Sequence, residues 1–158
     1  MDPSDVLQLI ILVILLALSA FFSSAETALT TSNKLRMRSL AEEGNKRAQA
    51  VLEVTDNSGK MLSAILIGNN VVNLSAASLT TTIAYKFGGS MVAVASGILT
   101  VQILLFGEIT PKTLAKRRPE RIVLRIVGIV NAIEIIFSPL SWMFGKLTGY
   151  IGRKTGGE

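Results

Sequence analysis

The sequence predicts an all-α integral membrane domain of three transmembrane helices plus amphipathic and juxtamembrane helices. Of its 158 residues, 49% are apolar and only 17% are charged, giving a mean hydropathy of +0.51. The charges are gathered rather than spread: 20 uncharged residues separate Asp5 from Glu26, 25 separate Lys60 from Lys86, and 21 separate Lys86 from Glu108. At about 1.5 Å per helical residue each run can cross a hydrocarbon core of roughly 30 Å. Cysteine and histidine are absent. That removes disulfide frameworks, zinc sites and thiol or imidazole catalysis, and no enzyme is expected. The net charge of +5 and pI near 9.8 are expected to report membrane orientation rather than nucleic-acid binding.

The first run starts Met1-Asp2-Pro3-Ser4-Asp5, acidic where a cleavable signal peptide is basic, so Val6–Phe22 is read as a retained span. Positive residues sort the loops that follow. Lys34, Arg36, Arg38, Lys46, Arg47 and Lys60 lie between spans one and two, whereas Lys86 alone, beside Gly88-Gly89, separates spans two and three. Lys112, Lys116, Arg117, Arg118, Arg121 and Arg125 follow span three. This pattern predicts a multi-pass protein of the cell membrane, with the N-terminus outside and the basic loops cytoplasmic.

Within the first connection, Leu29, Leu35, Leu40, Ala48, Val51, Leu52 and Val54 alternate with charges, and Gly44-Asn45 interrupts them. Two short amphipathic helices at the inner face are expected over about 27–59, with Asp56-Asn57-Ser58-Gly59 as a turn before span two. Residues 126–151 could form a fourth span by length. Against that, Glu134 would sit mid-membrane at a cost of about 2.5–3.5 kcal/mol, Pro139 removes a helix hydrogen bond, and Arg153 and Lys154 would fall outside. A juxtamembrane helix broken near Ser138-Pro139 is the preferred reading, with Trp142 and Tyr150 at the interface. The chain thus divides into a three-span domain over 1–125 and a juxtamembrane segment with C-terminal tail over 126–158.

The polar exceptions inside the apolar runs carry the functional signal. Span two contains Gly68-Asn69-Asn70-Val71-Val72-Asn73. On a helix Asn69 and Asn73 are i,i+4 neighbours and Asn70 and Asn73 are i,i+3 neighbours, so amide oxygens can share a stripe. They could serve as interhelical glue or line a polar cavity. Span one ends in Ser19-Ala20-Phe21-Phe22-Ser23-Ser24-Ala25-Glu26. Its serines could bond back to their own helix, or Ser23 and Ser24 could offer uncharged ligands. Span three ends in Phe106-Gly107-Glu108-Ile109-Thr110-Pro111-Lys112. Pro111 cannot donate to the Gly107 carbonyl four residues earlier, which leaves a freed oxygen beside Glu108. Alternatively Glu108 pairs with Lys112 and Pro111 ends the span. Thr100 and Leu104 lie on the Glu108 face of an α-helix, and Thr100 could extend a polar path. All these groups offer oxygen, which suits a hard cation such as Mg²⁺.

Together, Phe21–Ala28, Leu66–Asn73 and Phe106–Lys112 resemble the membrane domain of the CorC/CNNM magnesium transport family, over roughly Val6 to Arg125. The resemblance implies a homodimer of three-helix protomers in the lipid bilayer, and Mg²⁺ export from an inward-facing cavity with Na⁺ as coupling ion. It implies metal ligands at Ser23 or Ser24, Asn70 with Asn73, the Gly107 carbonyl and Glu108, with Gly68 and Pro111 structural. Relatives continue into cytoplasmic CBS domains, and this chain is expected to be the membrane domain without them. Small residues at Ala93 and Gly97, and at Ser75-Ala76-Ala77-Ser78, suit close helix contacts within or between protomers. A membrane-anchored Mg²⁺ sensor or scaffold without transport is the alternative function.

Overall fold

A computed structural model describes residues 2–156 of the chain, and among them every regular element is helical. Helix α1 (Pro3–Thr31) opens with the Asp5 carboxylate accepting from the Asp2 N–H at 3.2 Å, while the Asp5 N–H donates to the Asp2 carbonyl at 3.0 Å. It continues through Glu26, nine residues beyond the apolar run that announced it. Two short helices follow, α2 (Lys34–Glu42) and α3 (Lys46–Asp56), in the expected positions. Their limits are set by side-chain chemistry. Asn33 accepts from the N–H groups of Leu35 and Arg36, and Asn45 accepts from those of Arg47 and Ala48. Gly44, at φ +95°, takes the left-handed conformation that stops α2.

The expected turn at 56–59 is shorter than the sequence suggested. Asn57 caps α4 (Ser58–Tyr85) by accepting from the Lys60 N–H at 3.3 Å, so Ser58 and Gly59 already belong to its first turn. Gly88, at φ +112°, makes the tight return to α5 (Ser90–Gln102). A seven-residue π-helical segment (Ile103–Ile109) and α6 (Thr110–Arg117) continue the same rod. Helices α1, α4 and the rod Met91–Arg117 are the three described helices long and apolar enough to cross a membrane. The start of α1 and the end of α4 are tied by the Asp5–Lys86 ion pair.

Helix α7 (Pro119–Ile136) and α8 (Ser138–Lys154) meet at Phe137 with a 64° bend, at the predicted break. Pro139 sits in the first turn of α8, where its missing N–H costs nothing. One stripe of α7 is buried: Val123, Val127, Val130 and Glu134. It packs towards α1, α3 and α4. Glu134 thus faces protein rather than lipid, with Lys60 at 3.8 Å. Together α7 and α8 are long and apolar enough to cross a membrane, but the 64° bend makes the pair a broken element rather than one straight rod.

The core is built at one end of the bundle. Phe22, Ala25, Ala28 and Leu29 of α1 join Met37 of α2, Ala48, Val51 and Val54 of α3, Met61 and Ile65 of α4, Ala115 of α6, and the α7 valines. The opposite half of α1, from Val6 to Leu18, leaves most of its large apolar side chains exposed. In a membrane protein that surface faces acyl chains.

Candidate functional site

Helix α1 is the axis of the site because α4, the π segment, α6 and α7 all pack against it. Two glycines set how close its neighbours come. A Cβ added to Gly68 would lie 2.5 Å from Phe22 Cζ and 2.6 Å from Phe22 Cε1, so α4 reaches the Phe22 ring only because position 68 has no side chain. A Cβ added to Gly107 would lie 2.8 Å from Ser19 Oγ. The π segment therefore lays its backbone directly on the serine. A third link, from Ser24 Oγ to the Pro111 carbonyl at 3.5 Å, joins α1 to α6. These contacts bring the three sequence motifs to one level of the bundle. Along α1 that level extends from Ser19 to Ser24, roughly 7.5 Å of helix.

At this level lie Ser19 Oγ, Ser23 Oγ, Asn69 Oδ1 and Asn73 Oδ1, all buried and without a hydrogen-bond partner among the described residues. Ser19 and Ser23 are i,i+4 on α1, as Asn69 and Asn73 are on α4, so each helix turns one pair inward. Helix back-bonding, the plain role for such residues, is taken instead by threonines elsewhere. Thr80, Thr81, Thr82 and Thr100 each donate to the carbonyl four residues earlier, at 2.8–3.1 Å. A buried polar group left unserved costs about 1–3 kcal/mol, hence roughly 4–12 kcal/mol for four. That is comparable with the whole stability of a domain. Water or a ligand could serve these oxygens.

The third helix supplies the irregular backbone. Its Thr110 N–H bonds to the Leu105 carbonyl, five residues back. The next step in that register would require an N–H at position 111, and proline has none. Pro111 stands five residues after Phe106 and four after Gly107, so neither carbonyl can be served from it. Pro111 also does not end the helix, which continues to Arg117. A π segment widens the turn, so α-helical spacing across it misplaces faces. Thr100 is accordingly exposed and bonded to the Ser96 carbonyl, and Leu104 is exposed as well. Thr100 is therefore not among the buried oxygens of the layer.

The remaining predicted ligands are placed as follows. Glu108 is partly buried and its Oε2 lies 3.5 Å from Lys112 Nζ, an i,i+4 ion pair at the edge of the site. Asn70 is exposed and donates its amide to the Leu66 carbonyl at 2.9 Å. The buried amide pair is thus Asn69 with Asn73. Ser19, although written in the same motif, was not singled out by sequence spacing. Its i,i+4 relation to Ser23 was the available signal, but only its contact with Gly107 distinguishes it from Ser24. Among the described residues no three Asp or Glu side chains gather, so the donor set is neutral oxygen with one nearby carboxylate. Such a set fits a hard cation, or an organic ammonium group, both of which are bound through oxygen.

Residues 10–158 match the model of the cyclin M transmembrane N-terminal domain. A UPF0053 protein of Haemophilus influenzae is 42% identical over 140 residues, covering 88% of this chain and 33% of that protein. The UPF0053 inner membrane protein YfjD of Escherichia coli is 36% identical over 140 residues, with coverage of 88% and 33%. A polyamine export protein of Escherichia coli is 31% identical over 161 residues, with coverage of 92% and 36%. The chain spans about a third of the length of these relatives. A multi-pass helical chain with these three motifs brought to one level, matched by that model over nearly its whole length, belongs to the CNNM transmembrane domain family.

Proposed function

We propose that this chain is the membrane part of a cation transporter that binds Mg²⁺ between α1, α4 and the third span and exports it, with Na⁺ entry as the driving reaction. The observation that carries this reading is the layer of four buried oxygens without protein partners, Ser19, Ser23, Asn69 and Asn73, beside the π segment at Gly107. Mg²⁺ takes about six oxygens and keeps several waters. The four side chains and the Gly107 carbonyl would hold it directly or through those waters. Glu108 adds the charge that neutral ligands lack, and an arriving cation competes with Lys112 for it. The N-terminus lies outside in this reading, and the cytoplasmic side carries CBS domains in the whole protein. Gly97, with nothing within 4 Å of where its Cβ would be, leaves a small-residue face free for a second protomer.

A second reading follows from relatives named polyamine export protein. The ammonium groups of a polyamine donate to the same oxygens. Thermal stability in lipid nanodiscs separates the two: protection by Mg²⁺ at concentrations where spermidine has no effect supports the first, and the reverse order supports the second. Transport is tested in proteoliposomes containing a Mg²⁺-sensitive dye. Flux lost in Glu108→Gln supports export, and saturable binding without flux would reassign the chain as a sensor.

A further inference from the structure

We propose that α8 is a lipid-reading element, an interfacial helix that collects anionic phospholipid around Lys146, Arg153 and Lys154. No residue of α8 is buried, although it follows a well-packed α7. From Ser138 to Gly156 the chain carries those three basic residues and no acidic one. Its apolar side chains Leu140, Phe144, Leu147 and Ile151 follow i, i+4, i+7, i+11 spacing and form one stripe. Lys146 and Arg153, seven residues apart, lie with Trp142 and Tyr150 on a second stripe, roughly 130° around the helix from the apolar one. Lys146 Nζ stands 4.2 Å above the Trp142 ring centre, and Lys154 Nζ stands 5.0 Å from that of Tyr150. Aromatic rings capped by cations together with an apolar stripe are the composition of a helix lying at headgroup level.

The placement supports the same occupant. Glu134, in the last turn of α7, meets Lys60 in the first turn of α4 at 3.8 Å. This contact holds the start of α8 at the end of the bundle that carries α2, α3 and the basic run Arg117–Arg125. A second copy docking through this helix would bring no carboxylate to Lys146 and Arg153, because residues 138–156 contain none. An anionic headgroup instead complements both, and Lys and Arg near a charged membrane surface each strengthen attraction severalfold.

Trp142 is the protein's single tryptophan, so its fluorescence reports this helix alone. The full chain would be reconstituted in mixed phosphatidylcholine and phosphatidylglycerol bilayers, with bromine on the acyl chains of one lipid at a time. At equal mole fraction, brominated phosphatidylglycerol is expected to quench Trp142 with at least about fivefold higher apparent affinity than brominated phosphatidylcholine. The preference should fall towards one in Lys146→Glu with Arg153→Glu, and also in wild-type protein as salt is raised. The salt titration keeps the test decisive if the double variant does not fold. Equal quenching by the two lipids overturns the proposal. So does absence of quenching by either, which would mean that protein covers α8.

Discussion

The half of the bundle away from the core and the layer at Ser19–Ser24 both place polar residues in apolar helices, but they treat most of them differently. In the former, Thr80, Thr81, Thr82 and Thr100 close their hydroxyls onto their own helices at 2.8–3.1 Å, and Gln8 alone buries an open oxygen. In the layer, Ser19 and Ser23 are buried and Asn69 and Asn73 half-buried, and all four turn an enclosed, open oxygen inward. A closed hydroxyl costs little in lipid because it brings its own acceptor. Open oxygens also occur singly, at Gln8, Glu134 and Ser141, but only the layer gathers four of them on two neighbouring helices among the described residues, and that clustering makes it the candidate site.

The largest effect is expected where the layer is tightest. Gly68→Ala places a methyl 2.5 Å from the Phe22 ring, and overpacking of this kind costs about 1–3 kcal/mol. Thermal unfolding in detergent should show a lower Tm, and Phe22→Leu, which removes the clashing ring atoms, should recover part of it. Full stability in Gly68→Ala alone would mean that α4 does not approach α1 as described.

Next in size is a gain in stability. Replacing an unserved buried amide by an apolar group of similar shape removes about 1–3 kcal/mol of unmet desolvation. Asn73→Leu should therefore raise the Tm of cation-free protein while abolishing Mg²⁺-dependent protection. A lowered Tm would place Asn73 among ordinary interhelical hydrogen bonds. Pro111→Ala restores an N–H below the π segment and should draw the third helix towards α-helical register. Mg²⁺ protection should weaken while Tm changes little, and unchanged protection would detach the π segment from the site. The smallest effect belongs to the half of the bundle away from the core. Thr82→Val removes a bond that the helix makes with itself on an exposed face, and Tm should move by no more than about 0.5 kcal/mol equivalent.

The elements readable before the structure were those written in local chemistry. Runs of uncharged residues marked the spans, Gly44 and Asn45 separated α2 from α3, and Pro139 located the bend at Phe137. Helix α7 was harder, because Glu134 in an apolar run resembles an error until the Val123, Val127, Val130 stripe shows which way it faces. The site was half readable. Amides and serines at i,i+4 spacing named the helices involved, but choosing Asn69 over Asn70, and Ser19 alongside Ser23, needs the rotation of each helix against its neighbours. That rotation is set by Gly68 on Phe22 and Gly107 on Ser19, contacts between motifs 46 and 88 residues apart in sequence. The π segment escaped for a related reason. Proline announces a missing donor, but whether the helix ends, kinks or widens is decided by packing.

The central claim is that the open oxygens of α1 are cation ligands rather than packing. Thermal unfolding of the full chain in nanodiscs, titrated with Mg²⁺, tests it in wild type and in Ser19→Ala with Ser23→Ala. A bound ion at 100 times its Kd adds about 2.7 kcal/mol, so wild-type Tm should climb by several degrees. The double variant should start at an equal or higher Tm and show no climb. A double variant that keeps the wild-type response and midpoint would contradict the assignment.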